Sequence, residues 1–575
     1  MGTISDKLMR IINTKEDIRQ ALISKGYDVP TSIPFKEYAK MILDLPCKVD
    51  SFPDIEGIVA RYSASGLTNE QMAANPVWVD KTGNGHDLQL KNFAWKGMSG
   101  VGGYVADIDE WGTNSTAAYF ERNSIKITAT FKENVSLGLL YHNIKLRQSC
   151  VLKVTGIPEG CDAFLDDRLG NRFYMSEDGV YEIIPSNFLA EALYFSIEKY
   201  PERWYGSKLT IEQLPLYPGA LVFDGVDDYG VCDNFPILTK EKGYTVVVLR
   251  QWDQDFLNTT LTGGLLSTRN YSTGEGVAFE KIESSNKGYW NLGAGGIIDF
   301  AKSPFTWQTS KQYNNVGILK GDKNHGKPLC VGCGLSGGQQ CGRFAIWELV
   351  FLDHDATEEE LTKIKDYFVK TYPWLFPDQA WTVVGKTNED EDRATIANIT
   401  GNGNDLVLSN FGFAEGSGYN EEGEYAGYLV TDGVDDKIIS SIFKMGNDWT
   451  VIGDWELINT GKNDNAGIVK FDSIVIYNYN YNSVLINIKN GRNILIPDQN
   501  TVNAICSDGR IYSKDWKESI YNEETESTSK NFLTIGYSGN AYTKIAFKNL
   551  AIYPTVLSRE DCIKAYNYLQ TLKAK

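Results

Sequence analysis

Three short motifs occur twice in this chain, and the distances between their occurrences constrain the fold more than any other feature. Thr82–Phe93 (TGNGHDLQLKNF) matches Thr400–Phe411 (TGNGNDLVLSNF) 318 residues later. Leu221–Asp228 (LVFDGVDD) matches Leu429–Asp436 (LVTDGVDD) 208 residues later. Trp347–Phe351, followed by the helix-like run Thr357–Phe368, matches Lys548–Ile552 and the run Ser558–Leu569 at a separation of 201. Two uninterrupted copies would keep one separation. The fall between the first and second motifs therefore means about 110 extra residues between Phe93 and Leu221 in the first copy. Insertions of that size are accepted at exposed loop tips whose ends lie close together. The expected organisation is a helical module at 1–50, a first sandwich at 51–104 plus 217–375, an inserted sandwich at 105–216, and a second sandwich at 376–575. Residues 53–95 plus 217–375 should superpose on 379–575, with the insert protruding.

The local signals are those of strands and turns. Fifty-four Gly, thirty-two Tyr and thirteen Trp stand against seventeen Pro. Aromatic residues suit half-buried pleated surfaces, and Gly supplies the turns between them. The repeated Asn-Gly and Asp-Gly steps provide the positive φ of tight turns. In the insert, Ser124–Thr130 and Lys208–Glu212 alternate with period two, and Val151–Pro158 and Gly179–Pro185 end in turn residues, which predicts a small β-sandwich. Each repeat closes on a capped helix: Thr357 or Ser558 at the N-cap and a carboxylate three residues on, Glu360 in one and Asp561 in the other. The fold class is mainly β.

A net charge of −18 and the lack of any basic run with interleaved aromatics exclude a nucleic-acid binder, which must neutralise phosphates. No stretch reaches the roughly 20 apolar residues that cross a bilayer, so no membrane insertion is expected. The start, Met1-Gly2-Thr3-Ile4-Ser5-Asp6, has no apolar signal core, and Asp6 stands where a myristoylation signal wants Ser or Thr. Nine cysteines, an odd number without framework spacing, read as reduced thiols of a chain folded in cytosol.

The first fifty residues read as three short helices. Leu8, Ile11 and Ile12 make one stripe. Ile18, Ala21 and Leu22 follow a capping box at Thr14–Asp17, and Phe35, Tyr38, Ile42 and Leu43 make a third stripe before Pro46. Fifty residues bury little by themselves, so these stripes need a partner: the neighbouring domain, as a cap, or another protein, as a docking module. The runs Thr3–Leu8, Lys15–Ala21 and Pro34–Tyr38 resemble the leading segment of bacteriophage fibre and decoration proteins, Bacteroides-infecting and crAss-like phages in particular. That resemblance implies docking onto other virion proteins. The repeats in turn resemble concanavalin A-like, laminin-G-like lectin domains. The Thr-Gly-Asn-Gly turn, the Asp-Gly-Val-Asp-Asp strand end, the Leu-x-Val/Ile-Gly strands at Leu329 and Leu533, and the closing helix carry it, over roughly 400 residues. It implies two jelly-roll sandwiches, one carrying the inserted small β-sandwich, behind the helical module.

Several constellations could carry chemistry. Asp224 and Asp227 with Asp228, and Asp432 and Asp435 with Asp436, offer carboxylates to calcium, which takes about six to eight oxygens. The other reading is a turn whose Asp side chains cap backbone amides. Calcium is the one cofactor considered. Cys330, Cys333 and Cys341 offer three thiols, but copy two has Thr534 and Tyr537 in place of the first two, which reads as ordinary strand packing rather than zinc. Glycosidases need paired carboxylates about 5 to 10 Å apart. Asp107-Ile108-Asp109-Glu110 comes nearest and has no counterpart in copy two. The four scattered histidines (His86, His142, His325, His354) suggest no triad, and no catalysis is expected. Exposed rings stack on apolar sugar faces. Tyr289, Trp290 and Trp307 in one copy, and Tyr477, Tyr479 and Tyr481 on one face of an alternating run in the other, are candidates, with half-buried strand positions as the alternative.

These readings point to a virion-attached phage fibre or head-decoration protein, assembled in the host cytoplasm, presenting lectin-like domains to surface glycans as a homotrimer. A purely structural virion protein is the alternative, and a glycan-degrading enzyme the third reading.

Overall fold

The strand Arg343–Leu352 is buried over nine of its ten residues, and Ile545–Tyr553 is buried at all but Lys548. Continuous apolar runs of this kind belong in the middle of a covered sheet. In this computed structural model each is the central strand of one sandwich layer. Arg343–Leu352 pairs along one side with Thr245–Trp252. On its other side its first half takes Leu221–Asp224 and its second half Ile58–Ser63. Ile545–Tyr553 pairs likewise with Thr450–Leu457, then with Leu429–Val430 and Gln379–Thr382.

The opposite sheets also agree strand by strand. In copy one the order is Val77–Trp78, Leu88–Lys91, Tyr229–Cys232, Leu329–Val331, Gly263–Ser267, Ala278–Lys281, Lys287–Trp290, Ile297–Asp299. In copy two it is Thr395–Ile396, Leu406–Ser409, Lys437–Ser440, Leu533–Ile535, Gly467–Phe471, Ile474–Tyr479, Ser483–Ile488, Arg492–Ile496. Each pair of sheets encloses its own core. Phe223, Phe344 and Trp252 meet Leu88, Leu266 and Leu329 in one. Phe547, Trp455 and Leu429 meet Leu406, Ile438 and Leu533 in the other.

Between the two halves of copy one, residues 106–211 form a third core from two further sheets. The expected alternation is present: Lys126–Phe131 and Lys208–Gln213 pair with each other and bury every second residue. Glu182 on this sandwich meets Lys548 of copy two.

The closing helices, Glu358–Thr371 and Arg559–Leu569, are capped as expected. Glu360 reaches back to the Thr357 N–H at 2.7 Å, completing the box. The shorter Asp561 accepts from the Ser558 hydroxyl instead. No described helix is long and apolar enough to cross a membrane. The eight described cysteines are buried and free of disulfides.

The chain divides into two compact units, residues 1–54 with 363–367, and residues 55–362 with 368–575. The structure describes residues 52–574 apart from intervening segments, the longest being 310–327 and 521–532. The three helices expected within 1–50 lie outside the described residues.

Candidate functional site

The two Asp-Gly-Val-Asp-Asp strand ends are built alike. In copy one, Asp224 Oδ1 accepts from the backbone N–H of Val226 at 2.7 Å and of Asp227 at 3.4 Å. Asp228 Oδ2 accepts from the Asp224 N–H at 3.0 Å, and its Oδ1 from the Ser99 hydroxyl at 3.0 Å. Copy two repeats these bonds with Asp432, Val434, Asp435, Asp436 and Ser417. Gly225 and Gly433 turn the chain at φ +76° and +74°. A Cβ at Gly225 would also come within 2.8 Å of Arg343 Cβ, so a side chain is excluded twice over. Burial pushes the Asp228 carboxyl up to about 7, with the nearby Asp224 charge adding to it, and burial pushes Asp436 up to about 6. In each copy the three carboxylates offer oxygens within 4.8 Å of one another. A cation there would share oxygens that already accept from backbone N–H groups and a serine hydroxyl.

A second cluster escaped the sequence reading. The ladder between Thr450–Leu457 and Ile545–Tyr553 skips Lys548, and the ladder between Thr245–Trp252 and Arg343–Leu352 skips the equivalent Trp347. Each is the extra residue of a β-bulge, a device that re-aims a side chain. Trp347 donates its indole N–H to Pro218 O and packs edge-on against Tyr568 of the last helix at 6.0 Å. Lys548 Nζ lies 3.2 Å from Glu182 of the inserted sandwich and 3.4 Å from Asp454. Tyr566 donates to Glu182, Tyr428 and Gln570 donate to Asp454, and Lys548 sits over the Tyr428 ring. Burial alone would lower the Lys548 ammonium, but Glu182 and Asp454 outweigh it and hold the group above its ordinary value. Burial, joined by Asp454 and Glu182, pushes the Tyr428 and Tyr566 phenols well up, so both remain donors. The signal in the sequence was a lysine within the apolar run IAFKNLAIY, at the place where copy one has tryptophan.

Beside this cluster lies a crevice of about 210 Å³ lined by Phe173, Tyr174, Tyr181, Glu182, Trp516 and Tyr566, with Val151, Val180 and Asn503.

No family model matches this chain, and no curated protein matches it. Among solved structures, Trypanosoma rangeli sialidase in complex with sialic acid is similar over 78% of this chain and 83% of its own, at 9% identity and a TM-score of 0.25. The receptor binding domain of botulinum neurotoxin mosaic serotype C/D is similar over 59% of this chain and 89% of its own, at 10% identity and a TM-score of 0.22. Likeness at these scores carries no argument about fold or activity.

The other sequence candidates are distributed as follows. Tyr289 and Trp290 lie on the strand Lys287–Trp290, and Tyr477 and Tyr479 on Ile474–Tyr479. These are adjacent positions in the shared strand order, so both sets belong to the same outer hairpin of the two copies. Tyr481, Trp307 and His325 lie outside the described residues. Cys330, Cys333 and Cys341 do come together, in a buried cluster flanked by Tyr229 and Val231. Cys333 stands opposite Cys341 in an antiparallel pair. Asp107 caps the turn Ile108–Glu110 by accepting from the Asp109 N–H, and it pairs with Lys96. His354 bridges Asp353 and Glu360, each at 3.2 Å, at the start of a helix.

Proposed function

We propose that this chain is a virion-attached fibre or head-decoration protein of a bacteriophage. Its two equivalent sandwiches, of the concanavalin A-like, laminin-G-like jelly-roll kind, present glycan-binding surfaces to the host or its surroundings. The observation that supports this best is the doubling itself. One sandwich recurs with the same strand order and the same hydrogen-bonded turns, and repeating a low-affinity site raises avidity without new contacts. A homotrimer would multiply the effect. The N-terminal helices would dock on other virion proteins, and the protein would act on the particle after assembly in the host cytoplasm, with no nucleic-acid partner. Tyr289, Trp290, Tyr477, Tyr479 and Tyr481 are the proposed stacking residues, a reading supported by the place of Tyr289 and Trp290 on a hairpin of copy one and of Tyr477 and Tyr479 on the corresponding hairpin of copy two.

A purely structural role is the second reading. The buried Lys548–Glu182 contact favours it, because it ties two sandwiches into a spacer. No catalytic role is proposed: Asp107 and His354 hold helix starts, and turn duty occupies the acidic strand ends.

Binding of the full chain to an array of bacterial and mucin-type glycans tests the proposal. Binding that strengthens with the oligomeric state is expected, and a silent array turns the reading to the structural role. Release of sugar from the same glycans would revive the enzyme. Asp224, Asp227, Asp432 and Asp435 are read as turn residues first, so EDTA should leave the melting temperature unchanged. A drop reversed by calcium would make them ligands.

A further inference from the structure

We infer that the crevice between the inserted sandwich and copy two is a binding site for one neutral pyranose unit of a glycan. The inference rests on the glycan-binding reading and deepens it, since this crevice is separate from the outer hairpins proposed above. Ligand sites favour junctions between domains and combine apolar walls with a few polar groups. Here the insert contributes Phe173 and Tyr181, edge-to-face at 6.1 Å, and copy two contributes Trp516 and Tyr566, edge-to-face at 5.6 Å. Tyr174, half exposed, forms the rim. Phe173 and Tyr174 present the accessible ring area to the C–H face of a sugar, Tyr181, Trp516 and Tyr566 are the buried wall behind them, and the volume of about 210 Å³ is of the size of a single ring.

The polar groups decide which sugar. Glu182, Asn503 and the Trp516 indole are the hydrogen-bonding side chains of the lining besides the tyrosines. Glu182 is the carboxylate of the lining, and behind it one lysine, Lys548, faces two carboxylates, Glu182 and Asp454. That leaves a net negative charge at the floor. A sugar carrying a carboxylate would be repelled there, while neutral hydroxyls donate well to a carboxylate.

The test uses the full-length chain and saturation-transfer NMR with the methyl glycosides of glucose, galactose, mannose, N-acetylglucosamine and N-acetylneuraminic acid. At least one neutral glycoside should give a signal, and the sialoside none. Tyr174→Ala should weaken that binding about fivefold, the scale of one lost ring contact, with the melting temperature unmoved. Val180→Phe, which fills the crevice, should abolish it. If Val180→Phe loses its native near-ultraviolet spectrum, the rim variant decides alone. Neutral-sugar binding untouched by Tyr174→Ala would overturn this inference and leave the outer hairpins as the glycan surface. A preference for the sialoside would overturn the charge argument. Silence with every probe, joined by a silent glycan array, would overturn the inference and the proposed function together.

Discussion

Copies one and two are the same sandwich with different residues at the bulge of the central strand and at the position after it. In copy one the bulge on the central strand carries Trp347, which lies against Tyr568 of copy two's last helix. In copy two the equivalent bulge carries Lys548, which is buried against Glu182 of the insert. The next residue differs as well. Glu348 is wholly buried and held by Arg61 and Tyr372, whereas its counterpart Asn549 is bonded to Gln570. The turns, by contrast, are bonded alike: Ser99 to Asp228 and Ser417 to Asp436, Asn69 to Val101 and Asn388 to Tyr419. What the backbone needs has been kept in both copies. What each copy packs against has set the rest.

The largest expected break in this comparison is at the bulge. Lys548→Met leaves Glu182 and Asp454 without their cation and should cost about 3–5 kcal/mol in urea unfolding, the usual scale for removing one partner of a buried pair. Adding Glu182→Leu should recover part of that loss, because one of the two unpaired carboxylates goes too. Trp347→Ala should cost a similar ~3–5 kcal/mol, but through lost packing, with no recovery from any charge change.

Glu348→Gln comes next. Burial raises the Glu348 carboxyl while Arg61 opposes that shift, so the amide leaves a buried guanidinium without its counter-charge. A loss of about 3 kcal/mol is expected, against about 1 kcal/mol for Asn549→Ala, where neutral partners are removed.

The acidic turns should respond equally in both copies. Asp228→Ala and Asp436→Ala each remove an acceptor from a backbone N–H and a serine, for about 1–3 kcal/mol. The Asn variants keep the shape and should be near neutral at pH 7. Their pH dependence is the sharper test. Both carboxyls have folded values raised above 3.8, to about 7 and about 6, so the folded state holds these protons more tightly. Their contribution is fully present in acid and is lost as pH rises toward 7. The wild type should therefore show a fall in stability over that range that the Asp228→Asn, Asp436→Asn double variant lacks.

Smallest are the helix caps. Thr357→Ala and Ser558→Ala should each cost about 1 kcal/mol, slightly more for Thr357, whose box with Glu360 is complete.

Much of this architecture was legible because its signals are local. The Asn-Gly step at Gly85 and the Asp-Gly step at Gly225 take positive φ, as do their counterparts Gly403 and Gly433, so the same turns were marked twice. The strands around Lys126 and Lys208 announced themselves by alternation. The junction was not legible, since Lys548 and Glu182 lie 366 residues apart and in different sandwiches. Neither residue carries a local sign of its partner. The crevice follows from the same contact and was hidden for the same reason, although Phe173, Tyr181 and Trp516 are each ordinary strand or turn aromatics in sequence.

We propose that this protein works as a part of a virion, held there by its first fifty residues. Deleting residues 1–47 and measuring both melting and recovery in purified phage particles tests it most directly. Residues 48–575 are expected to melt as the full chain does and to be absent from particles. A truncated protein that melts several degrees lower, or that still enters particles at the full-length level, would contradict it.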